Sequence, residues 1–282
     1  MKQNDFDIIV VGGGHAGIEA ALISTKLNQK TAIVTMDPLA IGRMSCNPAI
    51  GGLAKGQMVR EIDILGGKMA SIADQAGIQF KTLNKKKGRA VWSPRAQVDK
   101  RLYERLMLSQ IKTSGTKIIS GEVVRLEYSG QRVCGVVLRD QTRISVGSVI
   151  ITAGTFLSGL IHIGERKINA GRMGEETSEG LTEHLCSFGF TSGRLKTGTP
   201  PRLIKNSINW DKTLVALGDK NPVPFSYSTK NFNPPNTPCH TLSTNQASHD
   251  IITKNQYRSP MFSGDIGGTG PRYCPSIEDK VH

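Results

Sequence analysis

The run FDIIVVGGGHAGIEAALISTKLNQKTAIVT, residues 6–35, restricts the fold more than any other part of the chain. Phe6 to Val11 is a short run of mostly β-branched apolar residues, the pattern of a strand buried on both faces. Three glycines follow at Gly12, Gly14 and Gly17, in G-x-G-x-x-G spacing. The next segment has helical periodicity, with Ile18, Ala21 and Leu22 on the inner face and Ile23 at its edge. Thr31 to Thr35 reads as a second buried strand. Strand, glycine turn, helix and strand make a βαβ unit, which implies a parallel sheet and a right-handed crossover. Gly12 permits the tight turn, Gly14 lets a pyrophosphate approach the backbone, and Gly17 lets the helix pack closely on the sheet. The helix N-terminus then offers free N–H groups and the positive end of its dipole to the phosphates. An acid is expected at the end of the second strand, on the ribose hydroxyl. Here the strand ends VTMD: Thr35 or Met36 stands at that place and Asp37 slightly later, so either Asp37 reaches back or a backbone group serves.

The middle of the chain predicts an amphipathic helix over 98–112 and then three strand-like runs, TKIISGEVVRLEY, RVCGVVLR and RISVGSVIITAG. These read as a β-meander returning to a buried parallel strand, Val149 to Gly154, whose small end residues would meet a ligand. A meander in that place resembles the second signature of two-dinucleotide-binding-domain flavoproteins and favours FAD. Residues 145–164 carry no charge, but they are rich in Gly, Ser and Thr, so a buried strand and a turn fit better than a membrane span. From about Arg194 the composition shifts to Pro, Asn, Ser and Thr, as in a loop-rich second domain, with NFNPPNTP as a solvated loop. The expected fold class is α/β: a Rossmann-like FAD-binding domain with a β-meander over 1–200, and a second, inserted α/β domain, NAD-binding-like, over 201–282. The ending SIEDKVH reads as that of a fragment.

Composition narrows the function classes. With 21% charged and 38% apolar residues among 282, the chain is not of disordered type and can bury a sizeable core. Its net charge of +13 suits a polyanionic partner such as nucleic acid, or simply a basic soluble surface. Five cysteines, odd in number and widely spread, with no Cys-x-x-Cys, point to reduced thiols in a cytoplasmic setting, without a leader peptide. The histidines do not fall at metal-ligand spacing, and Cys239-His240 alone is a weak pair, so no metal is expected. Cys134 and Cys186 read as core thiols.

SCNPAIGGLAKG, residues 45–56, places Cys46 before a stretch of small residues that leaves backbone open to a ligand. Together with GGGHAGIEAA, DQAGIQFKTLN, GRLKTGTPPR, HD-I with RSPM, and GPRYCPSIEDKV, in this order, it resembles the family of tRNA uridine 5-carboxymethylaminomethyl modification enzymes, MnmG (also called GidA). The resemblance runs along essentially the whole chain and makes it similar to the N-terminal part of the family protein. It implies FAD and NADH as cofactors and the GTPase MnmE as partner of a homodimer, within a heterotetramer. It also implies methylenetetrahydrofolate and glycine or ammonium as substrates for attaching an aminomethyl or carboxymethylaminomethyl group to C5 of the wobble uridine of tRNA. The implied catalytic residues are Cys46 and Cys274. Uracil C5 is a poor nucleophile; a thiolate adding at C6 makes it an enolate-like carbon that can attack an iminium, and a second cysteine can move the C5 proton. The resemblance also implies that Gly12, Gly13, Gly14, His15, Ala16 and Gly17 hold the FAD pyrophosphate, with Val123 and Ser178 as further FAD contacts and His15 as a spacer. An NAD segment is implied over Gly270, Pro271, Arg272, Tyr273, Cys274, Pro275, Ser276, Ile277, Glu278, Asp279, Lys280, Val281 and His282. In the family the first domain's sheet is completed by segments after the insertion.

The basic stretch NKKKGRAVWSPRAQVDKR offers Lys85, Lys86, Lys87, Arg89, Arg95 and Arg101 to tRNA phosphates, and Trp92 to a base. Arg194, Lys196 and Arg202 form a second candidate. A folate- and FAD-dependent tRNA uridine methyltransferase is the competing enzyme reading, which PRYCPSIEDK and the Cys46 loop disfavour. A fragment that binds FAD or a partner without catalysis is the non-enzymatic one.

Overall fold

A computed structural model describes residues 4–44, 47–199, 202–268 and 276–281. In chain order its elements begin with β1 (Phe6–Val11), α1 (His15–Lys26), β2 (Thr31–Thr35), β3 (Ala49–Gly51), α2 (Lys55–Ile64), α3 (Met69–Ala76) and β4 (Gly77–Leu83). They continue with β5 (Ser93–Val98), α4 (Lys100–Ser114), β6 (Lys117–Ser120), β7 (Val123–Ser129), β8 (Arg132–Leu138) and β9 (Arg143–Ile151). The last are β10 (Leu160–Ile163), β11 (Arg166–Asn169), α5 (Leu181–Ser187), β12 (Leu214–Ala216), β13 (Cys239–Thr241) and α6 (Gln246–Asn255).

The main sheet has the order β6-β2-β1-β9-β8-β7. β6, β2, β1 and β9 are parallel, with Ile9 opposite both Ala32 and Val149. β7, β8 and β9 form the antiparallel meander. β9 serves both halves: its first residues pair with β8 and its later ones with β1. Strand alternation sorts the core into two clusters. Val10 and Ile33 pack with Ile18, Ala21, Met107 and Ile111 of α1 and α4. Ile9, Val11, Ala32 and Val34 pack with Val123, Leu126, Val136 and Leu138 of the meander. The parallel strands are therefore covered on both faces, which explains their continuous apolar run.

The fold class is the expected Rossmann-like α/β flavoprotein type with a meander. One detail is corrected. TKIISGEVVRLEY is not one strand but two, because the Gly121 N–H bonds to Thr35 O (2.9 Å) at the end of β6 and the chain then leaves β2 for the meander. α4 begins on Asp99, whose Oδ1 accepts from the N–H groups of Arg101 (2.9 Å) and Leu102 (3.0 Å), and it ends at Gly115 with φ +90°. Such a cap contributes about 1 kcal/mol. Ser24 is buried in α1 because its hydroxyl is satisfied by Ala20 O at 2.7 Å. Cys186 is exposed on α5 rather than in a core, and Cys134 is half-buried.

β3, β5 and β4 make a small antiparallel sheet. Residues 214–237, although loop-rich, are strapped onto it and onto α2 and α3. Gln79 Nε2 donates to Ala216 O (3.0 Å) and Thr237 O (2.8 Å). The buried Asp74 carboxylate accepts from Phe225 N (2.7 Å), Ser226 N (3.0 Å) and Thr229 Oγ1 (2.7 Å). Phe225 is fully buried in the same cluster as Val10 and Ile18, so this stretch shares a core with the nucleotide-type unit. Among the described residues no helix is long and apolar enough to cross a membrane.

Candidate functional site

The C-terminal ends of the parallel strands converge on the glycine turn, where open α/β sheets bind their ligands. Gly12 has φ +109°, and a Cβ there would lie 2.5 Å from Thr152 O. The Thr152 hydroxyl donates to Val11 O at 2.8 Å, locking the turn against the end of β9. A Cβ on Gly17 would lie 2.0 Å from Gly12 O, so helix and turn are in backbone contact. Gly14 differs from both: a Cβ there would meet nothing within 4 Å. It is the N-cap of α1 and gives no side-chain cap, and it faces open space. A glycine cradle in front of an uncapped helix end fits a pyrophosphate.

His15 opens α1 with its ring edge-on to Tyr103 at 5.7 Å. Its Nδ1 is buried without a hydrogen-bond partner among the described residues. Burial, then the charge of Arg172, push its pKa below the usual histidine value, against the opposing pull of Glu104. The imidazole is thus neutral at pH 7 and suited to packing beside the turn. The Tyr103 hydroxyl is pushed upward by burial and by Glu19, and stays protonated.

The loop after β2 closes the other side. Asp37 Oδ1 accepts from Leu39 N at 2.8 Å, opening a short helical turn, while Oδ2 lies 3.5 Å from Arg43 Nη2. One carboxylate oxygen thus serves the local turn, and the other faces Arg43. The Gly42 N–H donates to Gly13 O at 3.0 Å, holding the loop against the glycine turn. Met44 N donates to Glu104 Oε1 at 3.1 Å. Cys46 itself lies outside the described residues, as do Cys274 and the rest of Gly270–Pro275 and His282.

Val123 and Ser178 are both buried and are brought together through Glu122. Glu122 accepts from Arg139 (Nη2 at 2.7 Å, with a second bond from Nε), from Glu179 N (3.0 Å) and from the Ser178 side chain. The Ser178 backbone binds the turn after β9, donating to Phe156 O (2.8 Å) and accepting from Ser158 N (2.7 Å). A cavity of about 460 Å³ beside it is lined by Ser158, Gly159, Asn169, Thr177, Glu179, Gly180 and Glu183, and shares no residue with the glycine turn. In 276–281, Ser276 N and Oγ donate to Asp279 Oδ2 (2.8 and 2.9 Å), closing a turn over Ile277 and Glu278, and the N–H groups of Lys280 and Val281 bond back to Ile277 O (3.1 Å) and Glu278 O (3.4 Å). The Ser276 bonds hold the Asp279 carboxyl below its usual range.

The basic stretch folds into two short helical turns, Lys85–Lys87 and Arg89–Val91. Lys85 Nζ pairs with Asp219 at 2.8 Å, and the Trp92 indole N–H donates to Lys85 O at 3.2 Å. The Arg89 guanidinium lies 5.7 Å from the Trp92 ring. Lys86, Lys87, Arg89 and Arg101 are exposed, whereas Arg95 is half-buried in β5. Arg194 and Lys196 spend hydrogen bonds on Ser158 O (2.7 Å) and Met261 O (3.0 Å), which pins their loop. Among the described residues no group of three or more His, Cys, Asp or Glu could hold a metal.

Sequence reasoning missed a cluster beside the glycine turn. Arg43 Nη1 lies 2.7 Å from Glu175 Oε1, and Arg172 Nε lies 3.1 Å from Glu175 Oε2. No local pattern announces it, since Arg43 and Glu175 are 132 positions apart.

Comparison with known proteins fits this geometry. The family model described as glucose inhibited division protein A matches residues 7–282. The MnmG tRNA uridine 5-carboxymethylaminomethyl modification enzyme of Thermodesulfovibrio yellowstonii is 52% identical over 281 residues, 99% of this chain and 45% of that protein. The MnmG of Syntrophotalea carbinolica is 49% identical over 278 residues, 98% of this chain and 45% of its own. The solved structure of Aquifex aeolicus GidA superposes with a TM-score of 0.91 at 46% identity, covering 99% of this chain and 48% of that one. The chain thus spans about half the length of the relatives it matches. It belongs to the GidA family, the family of the MnmG tRNA-modifying enzymes.

Proposed function

We propose that the chain is the cofactor-binding part of an enzyme that modifies C5 of the wobble uridine in tRNA, and that it holds FAD along the groove from Gly14 to Ser178. The observation carrying this reading is the open space at Gly14 before an uncapped helix N-terminus, in a family whose members are named as tRNA uridine modification enzymes. Gly12 to Gly17 would take the pyrophosphate, and Val123 and Ser178 would contact the rest of the cofactor. Bound FAD, reduced by NADH, would supply hydride chemistry. The segment 270–282 is assigned to NAD. Residues 1–200 would form the FAD domain, and 201–282 would begin an inserted domain whose 214–237 strap docks back on the first.

The thiols of Cys46 and Cys274 are proposed to act on the base. One sulfur forms a bond to uracil C6, so that C5 carries the electron pair that attacks a methylene iminium derived from methylenetetrahydrofolate and glycine or ammonium. The other then removes the C5 proton, and elimination of the first thiolate restores the ring. MnmE would be the GTPase partner of a homodimer in a cytoplasmic heterotetramer. Lys85, Lys86, Lys87, Arg89, Arg95 and Arg101 would meet tRNA phosphates, with Lys85 the least available because of Asp219.

Purified protein tests the cofactor reading by its flavin absorbance. Labelled methylenetetrahydrofolate, glycine, MnmE and tRNA test transfer in the full-length protein. Cys46→Ser and Cys274→Ser are expected to keep flavin and lose transfer; full activity in both would remove the thiols from the mechanism.

A further inference from the structure

Two loops meet beside the N-terminus of α1. Arg43 follows Gly42, whose N–H is bonded to Gly13 O at 3.0 Å. Glu175 lies in the segment between β11 and Ser178. One Glu175 oxygen accepts a hydrogen bond from Arg43 Nη1 at 2.7 Å, and the other lies at ion-pair distance, 3.1 Å, from Arg172 Nε, so a single carboxylate faces two guanidinium groups. Arg172 in turn lies 4.9 Å from the Phe156 ring, in the turn after β9, and its charge is felt at His15. The Glu175, Arg172 and Arg43 side chains are only 19%, 21% and 31% exposed, so solvent screens this group less than a surface pair. The pair thereby joins the loop that Gly42 holds against Gly13 to the segment that runs on to Ser178, with Arg172 close enough to act on His15 at the start of α1.

We propose that Arg43 and Glu175, braced by Arg172, form a clasp across the dinucleotide groove that sets how fast the cofactor enters and leaves. This rests on the FAD reading above. With the pair formed, the groove is bridged beside the pyrophosphate position, and release requires the bridge to open. Arg43 and Glu175 are positioning residues here: they hold the two walls and take no part in bond making.

The test is the FAD release rate, followed by flavin fluorescence with an excess of a flavin-scavenging apoprotein. It is run on this chain and on Arg43→Ala, Arg43→Lys, Glu175→Gln and the double variant R43A/E175Q. Release is expected about tenfold faster in Arg43→Ala and in Glu175→Gln, intermediate in Arg43→Lys, and no faster in the double variant than in the faster single. Melting of the cofactor-free forms is measured alongside; a merely structural pair would lower melting and leave release unchanged. If Arg43→Ala does not fold, Glu175→Gln and Arg43→Lys decide. Release within about twofold of the unsubstituted chain in both, or single effects that multiply in the double variant, overturns the clasp. A chain that takes up no FAD at all would instead overturn the FAD reading.

Discussion

Gly14 and Gly17 belong to one motif, yet the structure assigns them opposite sensitivities. At Gly17 an added Cβ falls 2.0 Å from Gly12 O and 2.7 Å from the Thr152 hydroxyl, well inside the 3.0 Å that real Cβ contacts respect. Gly17→Ala recovers up to about 1 kcal/mol of helix propensity, but forcing helix from turn costs about 1–3 kcal/mol or more. Net destabilisation of about 1–2 kcal/mol is expected, with flavin binding falling alongside. At Gly14 the backbone, φ −76° and ψ −178°, accepts any residue, and the added atoms enter open space. Gly14→Ser supplies the cap that α1 lacks and is expected to hold or raise stability by a few tenths of a kcal/mol. The same side chain fills the space assigned to the pyrophosphate, so FAD affinity is expected to drop at least tenfold, about 1.4 kcal/mol. Urea melts of the cofactor-free chains, set beside FAD titrations followed by fluorescence, separate the two effects. A Gly14→Ser chain that binds FAD as tightly as the unsubstituted one would show that the phosphates do not lie at this turn.

Three further outcomes are expected. Asp74→Ala removes the acceptor of three bonds to residues 225–229 and leaves buried N–H groups unpaired, so urea denaturation is expected to show a loss of about 3 kcal/mol; a loss under about 1 would mean that the strap is not held there. Burial pushes the Glu122 carboxyl up, but hydrogen bonds from Arg139, Glu179 N and Ser178 outweigh it and bring it below its ordinary 4.5. Its stabilisation is therefore present above pH 4.5 and lost as pH falls through the depressed folded value, so the stability gap to Glu122→Gln should shrink in that acid window, and a constant gap contradicts this. Replacing Lys86, Lys87 and Arg89 together by Ala is expected to lower the slope of log K for tRNA against log salt by about 2–3, and an unchanged slope removes this loop from the phosphate interface.

What the sequence disclosed was what local periodicity encodes. β1, α1 and β2 stand where the FDIIVV run, the helical spacing and the TAIVT run put them, since each buries an apolar face of fixed period. α4 begins at its Asp cap for a local reason as well. The break at Gly121 was hidden, because both halves of TKIISGEVVRLEY are equally β-branched and only a long-range bond to Thr35 O separates them. The 214–237 strap was hidden for another reason: it is held by Asp74, Asp63 and Gln79 through backbone groups, which leave no hydrophobic pattern. The glycine turn was legible as a motif, but not the contrast between filled space at Gly17 and open space at Gly14. The Arg43–Glu175 pair was invisible, as any ion pair between distant loops must be.

The most direct measurement of the central claim is a crystal structure of this chain with FAD bound. The account predicts the pyrophosphate against the first turn of α1, within hydrogen-bond reach of the His15 and Ala16 amides and over the open face of Gly14, with the cofactor running toward Val123 and Ser178. A pyrophosphate bound elsewhere, or a glycine turn that stays closed to the cofactor at saturating FAD, would contradict it.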